Sequence, residues 1–227
     1  MKKYGQFDLF LARLAGKACR KLHLTAPAVA HYQIDIDGSP VMTSKSNSWV
    51  RNMINVMACH GLLGVVISDS GSFFADGYMT LRRPNGNISS DNVLPAQDTM
   101  LVNVGTATTE NGMRIGTSNT VESFDDYKLG ADVPHGNSTG QMYHNAMTRL
   151  SKTWNSSERK WSLIYQRSFV NNSGSPIVIN ELGIYSRVRV AVYEYSNILL
   201  LRDVLPAAQT VNNGQTLTVT YTIEYQY

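Results

Sequence analysis

The chain has few of the features that mark several common classes of protein. Among its 227 residues there are only two cysteines, Cys19 and Cys59, and neither belongs to a C-x-x-C pair. A disulfide framework and a cysteine-based zinc site are therefore not indicated, and we expect free thiols in a reducing cytoplasm. No apolar run approaches the roughly 20 residues that a membrane helix needs. The N terminus lacks a secretory signal pattern, so we expect a soluble protein.

Charged residues are also scarce. They make up 16% of the chain, against about 25% in a typical soluble protein. The formal net charge of +3 is too small to indicate nucleic-acid binding. Residues 1–24, which we call the basic arm, carry six basic residues against Asp8 alone, a net charge of +5. Such an arm could dock on an acidic surface.

One short pattern resembles a catalytic motif. The segment G-N-S-T-G at 136–140 matches the G-x-S-x-G nucleophile elbow around Ser138. The elbow needs a buried strand before the serine, and V-P-H is a poor one. No carboxylate lies between Ser138 and His144, so the required order of serine, acid and histidine is missing. We interpret this segment as a loop and expect no enzymatic activity.

Binding motifs are weak as well. His135 and His144 could meet across a hairpin and trap an ion, but two surface histidines are the simpler interpretation. The segments at 35–39 and 68–72 lack the full set of acidic positions of a calcium loop, which favours turns. The glycine patterns that bind phosphates do not occur. We therefore expect no metal and no cofactor.

The N-terminal region has helical periodicity. Apolar residues at intervals of three or four predict an amphipathic helix that ends before Pro27, and these are Phe7, Leu11, Leu14, Ala18 and Leu22. A short strand with an Asp-Gly turn follows at 31–41. Ser46, Asn47 and Ser48 offer N-caps for a second helix at 49–61.

After Gly61 the pattern changes to short alternating segments between Gly, Asn, Asp, Ser and Pro clusters. The candidate strands are 62–68, 78–83, 99–106, 112–118, 142–154, 160–171, 176–187, 191–205 and 215–227. We predict a mainly β fold, an antiparallel β-sandwich of jelly-roll-like or immunoglobulin-like type, with an N-terminal helical region. A closed barrel is the alternative. The predicted division is a helical arm region at 1–60 and a β-sandwich domain at 61–227.

The last strand has the clearest pattern in the chain. One face carries Leu217, Val219, Tyr221, Ile223 and Tyr225, and the other carries mostly threonine. An uncharged edge of this length would be an aggregation hazard in a monomer. We therefore predict that the strand is either central in its own sheet or covered by another subunit. The many Tyr and Trp residues of the second half fit core packing, a protein interface or a glycan-binding surface.

Three segments in the second half resemble structural proteins of tailed bacteriophages, a mostly uncharacterised group. The shared pattern is I-G-T with a later D-Y-x-L, then F-x-N-N-S-G, E-x-G-I-Y, L-x-R-D-V-L and G-Q-x-L-x-V-x-Y. The matching residues are Ile115, Gly116, Thr117, Asp126, Tyr127, Leu129, Phe169, Asn171, Asn172, Ser173, Gly174, Glu181, Gly183, Tyr185, Arg202, Asp203, Val204, Leu205, Gly214, Gln215, Leu217, Val219 and Tyr221. The resemblance covers residues 100–227, and the basic arm lies outside it.

The resemblance implies a non-enzymatic virion protein, a tail or neck/collar component that assembles in the bacterial cytoplasm. The expected partners are copies of itself and other tail, portal or capsid proteins, without nucleic-acid readout or membrane contact. A capsid decoration protein and a receptor- or glycan-binding tail module are the alternatives. The predicted assembly residues are Phe7, Leu11, Arg13, Leu14, Lys17, Arg20, Tyr221 and Tyr225. The three apolar arm residues would insert into a neighbour or into the chain's own core, and the three basic ones would face an acidic partner.

Overall fold

The computed structural model describes residues 29–46, 49, 50, 52, 53, 81–89, 104–191 and 194–226. This part is mainly β, and its regular elements are strands. The strands are β1 (Val29–Ile36), β2 (Ser39–Ser46), β3 (Leu81–Arg82), β4 (Ile88–Ser89), β5 (Gly112–Gly116), β6 (Tyr143–His144), β7 (Thr148–Asn155), β8 (Lys160–Val170), β9 (Ile177–Ala191), β10 (Glu194–Val211) and β11 (Thr216–Gln226). The first predicted helix lies outside the described residues, as does most of the second.

The largest sheet is antiparallel, six-stranded and built around the C-terminal strand. Its order is β2-β1-β11-β8-β6, and β7 also pairs with β8. Of the two alternatives predicted for the last strand, a central position or cover by another subunit, the structure shows the first, since β1 and β8 flank it on both sides. On β11, Leu217, Val219 and Tyr221 are buried, as the alternating pattern predicts.

The second sheet has three antiparallel strands in the order β10-β9-β5. Its two long strands carry register shifts, one of them between Val204 and Gln209. Bulges of this kind bend a strand and increase its twist. A separate pair, β3 and β4, forms a small hairpin.

The two larger sheets contribute to one hydrophobic core. Tyr32 on β1 and Phe169 on β8 lie in the same buried cluster as Ile115 on β5 and Ile184 on β9. The residues 29–46, which the sequence placed in an N-terminal region ending at 60, are therefore hydrogen-bonded into the same sheet as β11. Period-two burial on both sheets explains why the mainly β prediction is right.

The chain crosses between the sheets twice at one end, and Asn171 joins the two crossings. Its amide donates to the carbonyl oxygens of Ser175 and Val211, and its Oδ1 accepts from the backbone and hydroxyl of Ser173. Its backbone N–H donates to Gln215. The F-x-N-N-S-G and G-Q-x-L segments therefore meet in space at the turn after β8 and the turn before β11.

One predicted strand is divided in the structure. Residues 142–154 form β6 and β7, separated at Asn145, whose backbone and side chain both bind Ser168. Met147 then pairs with Val104, outside both sheets. Apolar alternation alone does not reveal such a break, because a side-chain hydrogen bond causes it. At 78–83 the described strand is β3, and at 99–106 it is a single bridge at Val104.

Asn171→Ala tests the junction between the crossings. The substitution removes the side-chain donor to the buried carbonyl of Val211 and the acceptor of the buried backbone N–H of Ser173. We expect the free energy of unfolding to fall by about 2–4 kcal/mol, as for loss of several buried hydrogen bonds. Urea unfolding followed by circular dichroism would measure it. Asn172→Ala is the matched control, since that neighbour is exposed; equal losses in both variants would contradict the account.

Candidate functional site

The most concentrated set of polar groups in the described chain is a buried ion network between β9 and β10. Arg202 is 2% exposed and Glu181 is 0% exposed. Arg202 Nε donates to Glu181 Oε2 over 2.8 Å. A buried pair of opposite charges is tolerated only when its other hydrogen-bonding positions are also filled. We call this group, together with Asp126, the arginine network.

The oxygens of Glu181 are saturated by backbone donors from the loop at 117–132. Its Oε1 accepts from the N–H groups of Ser118 and Ala131, and its Oε2 accepts from Gly130. A side chain at Gly116 would overlap both Glu181 and the Ala131 carbonyl. Glycine at this position of the I-G-T motif is therefore needed for the loop to approach the carboxylate.

The remaining donors of Arg202 hold the same loop from the other side. Nη1 donates to Asp126 Oδ2 at 2.8 Å, and Nη2 donates to the carbonyl of Thr120 at 2.9 Å. The hydroxyl of Tyr185 accepts from the N–H of Leu129. The D-Y-x-L, E-x-G-I-Y and L-x-R-D-V-L motifs thus converge on one framework.

Asp203, next to Arg202, connects the network to the six-stranded sheet. Its Oδ2 accepts from the hydroxyl of Tyr221 at 2.8 Å. Tyr221 is 0% exposed, and burial raises its pKa well above the usual value, with the Asp203 charge adding to the effect. The phenol therefore stays protonated as a donor. The structure places this predicted assembly residue in the core of the subunit, away from its surface.

Such an arrangement is suited to holding a loop and poorly suited to catalysis. The side chains of Arg202, Glu181 and Asp203 are buried, and they form hydrogen bonds with other groups of the protein. A catalytic group must instead present a lone pair or a proton to a substrate within hydrogen-bond reach. We therefore assign the arginine network a structural role.

Arg167 forms a second buried cationic centre, on the inner face of β8. Its guanidinium donates to the carbonyl oxygens of Asn145, Met113 and Thr108. Burial, and then the nearby charge of Arg114, lower its pKa to about 10. Arg167 is thus still charged at neutral pH, and three backbone dipoles stabilise the charge.

The interpretation of His135 and His144 as two surface histidines is wrong for His144, which is buried, although the two rings do lie together. Their ring centroids are 5.5 Å apart, and His135 Nδ1 accepts from the backbone N–H of His144. His144 is 0% exposed and stacks edge-on against Phe169 at 5.0 Å. The backbone hydrogen bond occupies one possible ligand atom of His135. No group of three or more potential metal ligands was found among the described residues.

The other sequence motifs form turns. Ser138 is exposed and lies in a tight turn: its N–H donates to Oε1 of the Gln141 side chain, and its carbonyl accepts from the Gln141 N–H. Asp37 and Gly38 have φ angles of 51° and 78° in the turn between β1 and β2. The Asp37 carboxylate also accepts hydrogen bonds from the Gln215 side chain and the Thr216 N–H, and it thereby stabilises the start of β11. The segment at 68–72 lies outside the described residues.

The arm residues of the predicted assembly interface also lie outside the described part of the chain. Tyr225, by contrast, is half-buried near the end of β11, on the same face as Tyr221. Sequence patterns did not pair Arg202 with Glu181 or Asp126, although all three stood in the quoted motifs. The available signal was that each of the three is a charged residue in one of the quoted motifs.

Arg202→Met tests the arginine network. The variant leaves Glu181 buried without its counter-charge, so we expect the free energy of unfolding to fall by about 3–5 kcal/mol. Arg187→Met is the matched control on β9, because Arg187 is exposed and stacks 4.2 Å from the centre of the Tyr195 ring. There we expect a loss of about 1 kcal/mol or less. Equal losses in urea unfolding would show that burial of the charge is unimportant.

His144 predicts a specific loss of stability in acid. Burial, then the charges of Arg167, His135 and Arg114, lower the pKa of His144 from 6.5 to about 3. Above pH 6.5 both states hold a neutral imidazole, and the group adds no pH dependence. Below pH 6.5 the His144 imidazole binds a proton in the unfolded chain but stays neutral in the folded chain. The free energy of unfolding then falls by up to about 1.4 kcal/mol per pH unit until the folded pKa is reached.

His144→Leu should remove that contribution to the slope. Urea unfolding at pH 7, 6, 5 and 4 would measure it, with the slope compared between variant and parent. His31→Leu removes an imidazole from a partly exposed position on β1 and serves as the control. A parent-like slope in His144→Leu would contradict the placement of a neutral imidazole in the core.

Comparison with known proteins adds no relative. No family model, no curated protein and no solved structure matches the chain. In the described part of the chain, no helix is both long and apolar enough to cross a membrane. The sequence motifs and the geometry above are therefore what supports a functional proposal.

Proposed function

We propose that this chain is a non-enzymatic structural protein of the virion of a tailed bacteriophage. Its place would be in the tail or the neck/collar, assembled symmetrically with copies of itself and other virion subunits in the host cytoplasm. The body would be an antiparallel β-sandwich of jelly-roll-like or immunoglobulin-like type. Two sheets that share one core support this finer description of the fold.

The observation that carries the proposal is the position of the residues shared with tailed-phage structural proteins. Glu181, Arg202 and Asp126 hold one another and the loop at 117–132. Asn171 joins the crossings between the sheets. These motif residues make the fold rigid. Rigidity favours assembly, because a rigid subunit loses less conformational entropy when it binds its neighbours.

The edges of the sheets support an assembling subunit. Among the described residues, β2 pairs with β1 alone and leaves an outer edge, while β10 pairs with β9 and makes a single bridge to Trp49. Val41 on the edge strand β2 is 44% exposed. Edge strands can accept a strand from a neighbouring subunit. Closed symmetry would then cover these edges in a ring.

A glycan-binding tail module is the second candidate, and a cluster of aromatic rings favours it. Trp154 and Trp161 pair across β7 and β8 with ring centroids 5.4 Å apart. Trp154 is 44% exposed. Sugar rings commonly stack on such surfaces. A capsid decoration protein is the remaining alternative and differs from the first proposal in its site on the particle.

Particle localisation tests the proposal. We expect the purified chain to scatter light as a ring-sized oligomer, and cryo-electron microscopy of the phage that encodes it to show the subunit at the tail or neck. Deletion of residues 1–24 should reduce its incorporation into particles, as measured by quantitative mass spectrometry. The matched control keeps the arm and carries Asn172→Ala, an exposed change in the body.

A stable monomer that is absent from purified particles would refute the virion role. Density on the head surface would favour the decoration protein. Normal incorporation of the truncated chain would show that the arm does not take part in assembly, while leaving the structural role of the body intact.

A further inference from the structure

The inner face of the six-stranded sheet continues beyond the region where its residues are fully buried. Along β11 the exposure rises from Tyr221, which is 0% exposed, to Ile223 and Tyr225, which are partly exposed. Along β8 the same change runs from Phe169 back to Trp161. Register pairs Tyr225 with Trp161, so both strands lose their cover at the same end.

This end carries a connected aromatic surface, which we call the aromatic end. It consists of Lys152, Trp154, Trp161, Leu163 and Tyr225. Residues directly opposite each other on paired strands share a face, and Lys152 opposes Leu163 while Trp154 opposes Trp161. Four of the five line a depression of about 270 Å³, and these are Lys152, Trp161, Leu163 and Tyr225. The surface is large enough for several apolar side chains.

Two charged residues at this end of the strands, Lys160 and Glu224, lie on the opposite face. Lys160 pairs with Glu224 at 3.1 Å and with Glu158 at 3.0 Å, and Ser162 donates to Glu224. In the register, Lys160 and Ser162 alternate with Trp161 and therefore point away from it. Within the aromatic end, Lys152 carries a positive charge, and its Nζ lies 5.1 Å from the centre of the Trp161 ring. The rings of Trp161 and Tyr225 and the side chain of Leu163 make most of this surface apolar, which fits an apolar occupant.

The chain enters the described structure beside this surface. Val29, the first residue of β1, pairs with Glu224 on β11, between Ile223 and Tyr225. The basic arm is thus tethered at the aromatic end by only the four residues 25–28. Four extended residues reach about 14 Å. The distance from β1 across β11 and β8 to β7 is three strand spacings, which is also about 14 Å. The four residues are therefore long enough to let the arm reach every strand of the aromatic end.

The arm carries an apolar stripe of suitable size. Phe7, Leu11, Leu14, Ala18 and Leu22 recur at helical spacing. A helix over these 16 positions would be about 24 Å long, which is longer than the roughly 14 Å spanned by the three strand spacings from β1 to β7. On the same helix Arg13 and Arg20 fall opposite the stripe. Packing the stripe on the sheet would leave these cations outward.

We propose that residues 1–24 dock in cis on the aromatic end of their own subunit. Phe7, Leu11 and Leu14 cover Trp161, Leu163 and Tyr225, and the basic face of the arm is presented to an acidic partner. The arm then extends the core of the subunit. This inference stands on the register and the apolar pattern, and it does not depend on the virion role.

Cysteine crosslinking in the full chain tests the proposal. In a background of Cys19→Ser and Cys59→Ser, Leu163→Cys is combined with Leu14→Cys or, as the matched control, with Arg13→Cys. At micromolar concentration, a short thiol crosslinker should link the Leu14→Cys pair within one chain at least fivefold more than the Arg13→Cys pair. Peptide mapping of the monomer band would identify the link. Links found only between chains, or equal yields in both variants, would overturn docking in cis.

A second measurement leaves the sheet unaltered. Leu11→Asp combined with Leu14→Asp should increase acrylamide quenching of tryptophan fluorescence at least twofold, because Trp161 loses its cover. Arg13→Asp combined with Arg20→Asp, on the opposite face, should leave quenching unchanged. Unchanged quenching in both double variants would overturn the proposal. So would immobilised glycans that retain the parent protein and release Trp161→Ala, because they would identify the surface as a sugar site.

Discussion

The ion pair between Arg202 and Glu181 is the interaction on which the arrangement of the second sheet depends. The pair is buried between neighbouring strands, where an isolated charge would be costly. The cost is offset because both groups bind further partners, namely Asp126 and the backbone of the loop at 117–132. The ion pair can therefore be buried only when that loop adopts the conformation that supplies these hydrogen bonds.

The same constraint extends to the other sheet. Asp203 follows Arg202 on β10 and accepts from Tyr221, which lies at the centre of the six-stranded sheet. Asn171 joins the two crossings between the sheets, the one after β8 and the one before β11. Apolar packing supplies most of the stability of such a core, but it is not directional. Directional bonds at these two places align one sheet with the other.

The proposed relation to phage structural proteins would be consistent with this distribution of polar groups. The motif residues stabilise a framework, and surface residues are free to differ between proteins that meet different neighbours. The assembly function proposed here would lie in the edges of the sheets and in the arm. A receptor-binding function would instead lie in the rings of Trp154 and Trp161.

Local patterns predicted the strands well where one face is buried. The alternation from Leu217 to Tyr225 predicted both the strand and its buried face, and the Asp-Gly turn at 37–38 was also predicted. Long-range partners could not be predicted in this way, since Arg202 and Asp126 are separated by 76 positions and no periodicity connects them. Tyr221 illustrates the same difficulty. Its amphipathic side chain suits an interface, but Asp203 satisfies its hydroxyl inside the core.

Hydrogen exchange at the loop of residues 117–132 tests the central claim most directly. The amides of Ser118, Gly130 and Ala131 donate to Glu181, although the loop contains no strand. If the arginine network is the framework described here, mass spectrometry of the native protein should find these amides protected as strongly as those of β9. Exchange as fast as in the exposed turn at 136–140 would show that the loop is held loosely and would contradict the account.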